Sequence, residues 1–421
     1  MSAPSLSEQL HLLTRGIVDL CARSELEEKL KHSLASRIPL RIKAGFDPTH
    51  PDLHLGHTVV LTKLRQFQDL GHRVALVVGE FTATIGDPTG QSEARPRLTK
   101  EQVQEAAQTY TEQAFKILDP SRTELHSNQE WLEKLKLTEI VELMSHMTVA
   151  RMLERNDFGN RFRQQRCIFQ HEFLYPLLQG YDSVALNCDI EIGGTDQLFN
   201  LLAGRSLMVK YGQSPQIVMT IPLLEGIDAR VNEKGEIEGK KMSKTAGNAI
   251  SLTEEPSAMY RKMMQIEDAV IFRYFELLST CSTETIEGLK REWQQERHPL
   301  EIKALFAQEI VTRFHSEEEA KKAKEEFEKI YQSDALPVEI EEYQLITTTP
   351  TLWTPKAIAQ VGLTKSSSEA KRLIEQGGVE VDQMRVTDSN HQLEAGRRYL
   401  VRIGSKHRRF AYIHLINAHA P

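Results

Sequence analysis

The sequence predicts an α/β fold: a doubly wound, Rossmann-like parallel-sheet domain, then an α-helical domain and a small α+β module. Three observations predict it. Strand, helix and strand patterns follow one another between residues 40 and 79, and the second strand is a nearly continuous apolar run, as in a parallel sheet covered on both faces. Turn-rich, glycine-bearing segments stand after successive strands, where an open parallel sheet binds its ligands. Beyond Thr253 the pattern turns helical to about Gln332, and the chain closes on a basic stretch with strand alternation.

Taken in order, residues up to about 35 read as helical, with Leu10, Leu13, Ile17 and Leu20 at helical spacing and a mixed-charge run over 25–31. The strand 40–46 then runs through a turn with Pro48 and Pro51 into His54-Leu55-Gly56-His57, where a helix begins and continues to about Leu70. Gly71 follows in the position that favours a left-handed residue. The first-turn amides of such a helix lack partners within it and carry the positive end of the dipole, so they favour an anion. Gly56 admits a ligand close to the backbone, and His54 and His57, three apart, can donate to phosphate oxygens from one side of the turn. The expected ligand is a nucleoside triphosphate.

After the second strand, residues 84–96 are rich in turn formers, and Asp87 and Arg95 are candidate site residues there, unless the loop is plain surface with a helix cap. A helix is expected over 98–118. Residues 119–165 read as a helix-rich insertion suited to a dimer contact. On the helical stretch 173–186, Tyr175, Gln179 and Asp182 fall at i, i+4 and i+7, one polar line on an apolar element. Buried polar groups need partners, and either the protein or a bound polar ligand supplies them. Another strand, 189–194, runs into Gly193 and Gly194, which admit a sugar or base, while Asp196 can accept from ribose hydroxyls. One more apolar strand, 216–223, leads to a loop and connection over 233–252, in which the glycine-bracketed stretch 239–248 carries Lys241-Met242-Ser243-Lys244-Thr245. Alone, a lysine-rich loop is usually solvated surface; paired with the histidine turn, it can close on a triphosphate from the other side.

A helical domain is expected over 253–333, a linker over 334–352 with 347–351 its least structured part, and a last module over 353–421. That module opens with Ser366 and Glu369 as a capping box on a basic helix bearing Lys371 and Arg372. Gly377 and Gly378 stop it, and strands follow. Arg397, Arg398, Arg402, Lys406, Arg408 and Arg409 interleave with Tyr399, Phe410 and Tyr412, a composition suited to an RNA backbone and unstacked bases or to a solvated charged face.

Composition narrows the function classes. A chain of 421 residues with 40% hydrophobic and 26% charged residues is an ordinary globular protein of two or three domains. A formal charge of −7 argues against nonspecific nucleic-acid coating, but residues 361–413 carry ten Lys or Arg against six Asp or Glu. RNA is therefore expected at this end. Cys21, Cys167, Cys188 and Cys281 form no CxxC pair, so neither a zinc site nor a disulfide framework is indicated. No apolar run approaches a membrane span and no signal-peptide layout precedes the first helix, so a cytoplasmic protein without a membrane partner is expected.

The histidine turn and the KMSKT loop, in this order around an α/β core, resemble the signature pair of class I aminoacyl-tRNA synthetases. Residues 45–49 (GFDPT), the line Tyr175, Gln179, Tyr181 and Asp182, and residues 193–197 (GGTDQ) resemble the tyrosyl-tRNA synthetases, and the end from about Trp353 is similar to an S4-type RNA-binding domain. The resemblance implies activation of L-tyrosine by ATP, with Mg²⁺ accompanying the ATP and no separate metal site, and transfer to tRNA(Tyr) by a homodimer. It implies that His54, His57, Lys241 and Lys244 are catalytic, and that Gly45, Asp47, Gly56, Gly193, Gly194 and Asp196 join them around ATP. It assigns Asp87, Tyr175, Gln179, Asp182 and Gln197 to tyrosine, with Asp182 reading the phenolic hydroxyl, and Lys371, Arg372, Arg408 and Arg409 to RNA. Two positions depart from many members: Lys43 replaces a tyrosine that helps bind the substrate hydroxyl, and Gln91 replaces a lysine near the pyrophosphate, leaving Arg95 to contribute more. The competing readings are a small-molecule nucleotidyltransferase, which needs neither helical domain nor basic module, and an RNA-binding protein with a catalytically silent α/β domain. Tryptophan as substrate is disfavoured because indole carries no phenolic hydroxyl.

Overall fold

Arg41–Phe46 (β2) is the strand on which the first unit is built. In the computed structural model, which describes residues 4–89, 99–295, 297–332, 340–382, 384–404 and 409–417, it lies inside a six-stranded sheet. The others are Asp19–Cys21 (β1), Arg73–Val78 (β3), Thr123–Ser127 (β4), Ile190–Gly194 (β5) and Ile217–Ile221 (β6), in the spatial order β1-β6-β5-β2-β3-β4. All run parallel except β1, which pairs antiparallel with β6. The chain winds outward from β2 through β3 to β4, then returns to β5 on the other side and continues to β6. That reversal makes a switch point between β2 and β5, and the C-terminal ends of the parallel strands share one edge. The apolar runs β3 and β6 are buried almost throughout, as strands covered on both faces should be.

Two of these strands differ from the sequence reading. The helix expected up to about residue 35 is two helices, Leu6–Thr14 and Arg23–Ser36, separated at Gly16 (φ +72°) and by β1. Edge strand β4 lies inside the stretch read as a helical insertion. Its sequence, Thr-Glu-Leu-His-Ser, is polar because it has one neighbour and is half covered, so it lacks the apolar signature of the inner strands. The remaining helices follow expectation closely: Leu55–Asp69 closes at Gly71 (φ +95°), and Leu174–Leu186 carries the polar line. Lys100–Ala114 lies within the expected 98–118. A short hairpin, Arg230–Val231 (β7) with Ile237–Glu238 (β8), precedes the lysine loop.

The helices Pro256–Gln265, Ile271–Leu278, Thr283–Gln294 and Pro299–Phe314 belong to the same compact unit as the sheet, Met1–Ala323. The second unit is Lys324–Pro421. Its sheet contains Glu342–Thr347 (β9), Val379–Val381 (β11), Met384–Arg385 (β12), Arg397–Ile403 (β14) and Arg409–Asn417 (β15) in the order β12-β11-β14-β15-β9, beside a two-stranded pair of Thr351–Trp353 (β10) and Gln392–Glu394 (β13). The stretch read as a linker thus contributes strand β9, paired parallel with β15 from Glu342 to Thr347. Helix Ser367–Glu375 starts where the capping residues predicted: Ser366 accepts from the Glu369 amide, and Glu369 accepts from the Lys365 amide. Ile358, Ile374, Val379, Val401, Ile413 and Leu415 form the core of this unit.

Candidate active site

His54 is the N-cap of helix Leu55–Asp69, directly beyond the turn that follows β2. Its Nδ1 accepts from the Gly56 amide at 3.1 Å, and Nδ1 of His57 accepts from the His54 amide at 3.1 Å. An imidazole whose Nδ1 accepts carries its proton on Nε2, so both rings offer an Nε2–H. The ring centroids are 3.9 Å apart. Burial, then the other histidine and the two loop lysines, drives His54 far below the usual imidazole range; burial foremost, with the lysine charges, takes His57 down to about 4. The pair is therefore neutral at physiological pH. One expectation changes here. The Leu55, Gly56 and His57 amides already donate to Ile250 O, His54 Nδ1 and His54 O, so the histidine Nε2–H groups, rather than the first-turn amides, are the donors left for an anion. A Cβ at Gly56 would stand 2.9 Å from the His54 ring, which is why this position takes glycine.

The lysine loop sits over this turn. Met242 is buried, its amide bonded to Leu224 O at 2.8 Å, and Asn248 holds the Ser243 amide at 2.8 Å. Lys241 pairs with Asp196 at 2.7 Å and Lys244 with Asp52 at 2.5 Å. Asp52 also accepts from Thr253. Asp196, at the end of β5, is thus occupied by a cation. Gly194 precedes it where a Cβ would meet Asp196 Oδ1 at 2.7 Å and Leu223 Cδ2 at 2.8 Å, and at Gly193 a Cβ would meet Gln197 Cβ at 3.1 Å. Gly45 lies exposed at the end of β2.

The polar line of helix Leu174–Leu186 faces the switch point. The Tyr175 hydroxyl donates to Asp47 Oδ2 at 2.9 Å, and Thr82 donates to Asp47 Oδ1 at 2.7 Å. The Asn200 amide nitrogen donates to both Gln179 Oε1 and Gln197 Oε1 at 3.0 Å, and Gln197 donates to Asp87 Oδ2 at 2.8 Å. Behind Asn200, Arg155 reaches Asn200 Oδ1 at 2.7 Å, Thr89 Oγ1 at 3.0 Å and Asp157 at 2.6 Å, and lies 4.0 Å from Asp87. At the other end, buried Asp182 accepts from Trp131 Nε1 at 2.8 Å and Asn128 Nδ2 at 3.4 Å. Burial pushes its carboxyl up to about 6, against the lowering effect of Lys43, Trp131 and Asn128. The line is partnered within the protein, yet its acceptors retain lone pairs for further donors.

The sequence reading thus finds His54, His57, Lys241, Lys244, Asp47, Asp87, Tyr175, Gln179, Asp182, Asp196 and Gln197 gathered along one edge of the sheet. It missed Asp52, Asn128, Trp131, Arg155 and Asn200. Trp131, flanked by Glu130 and Glu133 in a charge-rich stretch, was the one of these with a signal, since an indole amid charges needs a partner for its N–H. Gln91, Arg95, Lys406 and Arg408 lie outside the described residues. In the second unit Lys371, Arg372 and Arg409 are exposed. Tyr399, read as an RNA contact, is a core residue with its hydroxyl bonded to the Glu394 backbone. Arg397, Arg398 and Arg402 pair with Glu394, Glu342 and Glu380. Among the described residues no group of three or more His, Cys, Asp or Glu is arranged to hold a metal, and no helix is long and apolar enough to cross a membrane.

Residues 35–332 match the family of class I tRNA synthetases for tryptophan and tyrosine, and residues 355–398 match the S4 domain. The chain is 49% identical to a tyrosine–tRNA ligase of Desulfotalea psychrophila over 96% of its own length and 98% of the relative's. It is 48% identical to one of Carboxydothermus hydrogenoformans at the same coverages. Two solved structures share its fold: a mitochondrial tyrosyl-tRNA synthetase of Aspergillus nidulans (TM-score 0.62, 22% identity, covering 78% of this chain and 94% of that one) and a tyrosyl-tRNA synthetase of Archaeoglobus fulgidus (TM-score 0.60, 21% identity, 76% and 99%). A histidine turn and a lysine loop meeting over a switch point, on a chain alike over nearly its whole length, identify a member of the tyrosine–tRNA ligase family.

Proposed function

We propose that His54, His57, Lys241 and Lys244 carry the reaction in which the chain joins L-tyrosine to ATP as tyrosyl-adenylate and then charges tRNA(Tyr). The tyrosine carboxylate attacks the α-phosphorus; the new C–O–P bond forms as the bond to the β-phosphate oxygen breaks, and pyrophosphate leaves with the electron pair. A terminal hydroxyl of tRNA then attacks the acyl carbon and AMP departs. The nucleophile is the substrate's own, so the protein positions it and stabilises developing negative charge. Neutral His54 and His57 donate from Nε2 to the triphosphate. Lys241 and Lys244 exchange Asp196 and Asp52 for phosphate oxygens, which frees Asp196 for the ribose. Gly45 leaves room for the nucleotide, Gly56, Gly193 and Gly194 let His54, Gln197 and Asp196 lie close against the backbone beside it, and Asp47 orients Tyr175. Mg²⁺ accompanying ATP would neutralise part of the phosphate charge, and among the described residues no cluster of His, Cys, Asp or Glu is arranged to hold it apart from the nucleotide.

Asp87, Gln179 and Gln197 bind the amino end of tyrosine with Tyr175, and Asp182 accepts from the phenol. A phenylalanine side chain brings no donor and leaves that acceptor short. The observation that carries this reading is the buried carboxylate of Asp182, on the same helix face as Tyr175 and Gln179, at the sheet edge shared with the histidine turn.

A second copy of the chain would cover the stripe Leu137, Val141 and Met144, at i, i+4 and i+7 of helix Leu137–Ser145 and 77%, 59% and 45% exposed. The helices over 253–333 and the exposed Lys371 and Arg372 would contact tRNA, in a cytoplasmic enzyme of translation. ATP–pyrophosphate exchange with each amino acid supplied singly tests the reading: exchange with tyrosine alone is expected. Exchange with another amino acid would overturn the role of Asp182, and none with any would overturn the activation step.

A further inference from the structure

Lys43 stands in the middle of β2, directly opposite Glu191 of β5, with 0% and 1% of their side chains exposed. Its ammonium donates to Gln179 O at 2.9 Å and Ser183 Oγ at 2.7 Å and pairs with Glu191 Oε1 at 2.9 Å. Glu191 Oε2 accepts from Ser183 at 3.0 Å and from Gln216, which donates to Leu201 O at 3.1 Å and accepts from Cys188 Sγ at 2.9 Å. Burial works against the charge on Lys43, but Glu191, then Asp182, outweigh it and hold the lysine above its ordinary range. Two charges taken wholly out of water are a poor way to stabilise a sheet, because apolar side chains of the same volume do as well. The pair therefore invites an account in terms of the site in front of it.

The contacts give one. Gln179 and Ser183 bracket Asp182 on helix Leu174–Leu186, and both are tied to the β2 lysine. Four groups act on Asp182: Trp131 and Asn128 donate to it, Lys43 attracts the ionised form, and Glu191 opposes it. We propose that Lys43 is a positioning residue for substrate selection: it pins helix Leu174–Leu186 to β2 on either side of Asp182 and sets a buried positive charge behind that residue, so that the tyrosine site holds a side chain offering a hydroxyl donor. A lysine at this place supplies from behind, as charge, part of what a polar side chain in the pocket would supply by touching the substrate. The inference rests on the reading that Asp182 accepts from the tyrosine hydroxyl.

The test uses the full-length chain and tyrosine-dependent pyrophosphate exchange between pH 5.5 and 8.5, with the KM for ATP as an internal control. Lys43→Met alone leaves Glu191 buried and unpaired, so the informative variant is Lys43→Met with Glu191→Gln, neutral and similar in volume. The expected result is a rise in tyrosine KM of about five- to ten-fold over native at pH 6 and below, shrinking toward pH 8.5. The kcat and the KM for ATP should stay near native. A tyrosine KM with the native pH dependence would overturn the proposal and leave Lys43 a structural residue. Lys43→Gln with Glu191→Gln gives an independent reading that survives if the methionine variant misfolds: it removes both charges and keeps an amide donor toward Gln179 O and Ser183, so tyrosine KM should again rise at pH 6 and below, and a native profile again overturns the proposal. Asp182→Asn separates the two ideas, since an unchanged tyrosine KM in that variant would remove the underlying reading itself.

Discussion

The phosphate side and the amino-acid side of the site both rest on ion pairs, and they differ in burial. On the phosphate side, Lys241 is 46% exposed and its partner Asp196 20%. On the amino-acid side, Arg155 and Asp157 are each 4% exposed, and the Lys43–Glu191 pair is dry. Exposed pairs contribute on the order of 0–1 kcal/mol and exchange partners readily, whereas breaking a buried pair costs about 3–5 kcal/mol. The first kind suits the proposed role of the loop, trading a carboxylate for a phosphate in every turnover. The second suits a frame that must present Asp87, Gln179 and Asp182 without reorganising.

The sharpest way to break this comparison is to remove a frame cation. Arg155→Met leaves Asp157 buried without its partner and Asn200 without the donor to its Oδ1, so unfolding stability should drop by about 3–5 kcal/mol in urea titrations. Arg155→Lys should recover only part of this, because a single ammonium cannot reproduce the forked contacts to Asn200, Thr89 and Asp157. A loss under 1 kcal/mol for the methionine variant would place this pair with the exposed ones.

On the phosphate side the expected loss is kinetic. Lys244→Ala should slow adenylate formation on the order of a hundred-fold in single-turnover measurements while leaving tyrosine affinity and thermal stability near native, because its contact with phosphate gains strength as negative charge develops. A pre-steady-state rate equal to native would remove Lys244 from the chemistry. The native enzyme's pH profile then probes the frame. With Asp182 near 6, tyrosine affinity should be flat above about pH 7 and weaken by up to about ten-fold per unit below 6, since the ionised carboxylate is the form that accepts from the phenol. Stability moves the other way: a carboxyl whose folded pKa lies above its unfolded value favours the fold as pH drops from about 6 toward 4.

What the sequence made legible follows the same division. His54, His57, Lys241 and Lys244 stand in short local motifs, and Tyr175, Gln179 and Asp182 share a helix face, so spacing alone brings them together. The frame was not readable. Lys43 meets Glu191 and Lys244 meets Asp52 only because strands and a loop far apart in the chain come side by side, and Asp52 lies in a turn whose histidines draw attention first. Strands β4 and β9 were missed for a related reason. Each lies at an edge with one strand neighbour and alternates or stays polar, and β9 adjoins the threonine run that reads as linker. In the second unit, pattern separated basic from apolar residues but not paired from unpaired ones. Lys371→Glu with Arg372→Glu should raise the KM for tRNA by several-fold at low salt, an effect that shrinks as screening increases, and leave pyrophosphate exchange unchanged. A tRNA KM equal to native would move the RNA contact off this helix.

The smallest effect is also the one that tests the loop latch most directly. Asp52 holds Lys244 at 2.5 Å and Thr253 at 3.0 Å, so under the proposed role of Lys244 it competes with the phosphates of ATP for that lysine. Asp52→Asn keeps the shape and a hydrogen-bond acceptor and removes the charge. Releasing a pair of this exposure is worth about 1 kcal/mol or less, so ATP should bind up to about five-fold more tightly, with tyrosine KM unmoved. If ATP binding weakens instead, Asp52 is preorganising Lys244 for phosphate rather than competing with it. The loop pairs would then belong with the frame, and the contrast drawn from burial would fail at the place where it is easiest to measure.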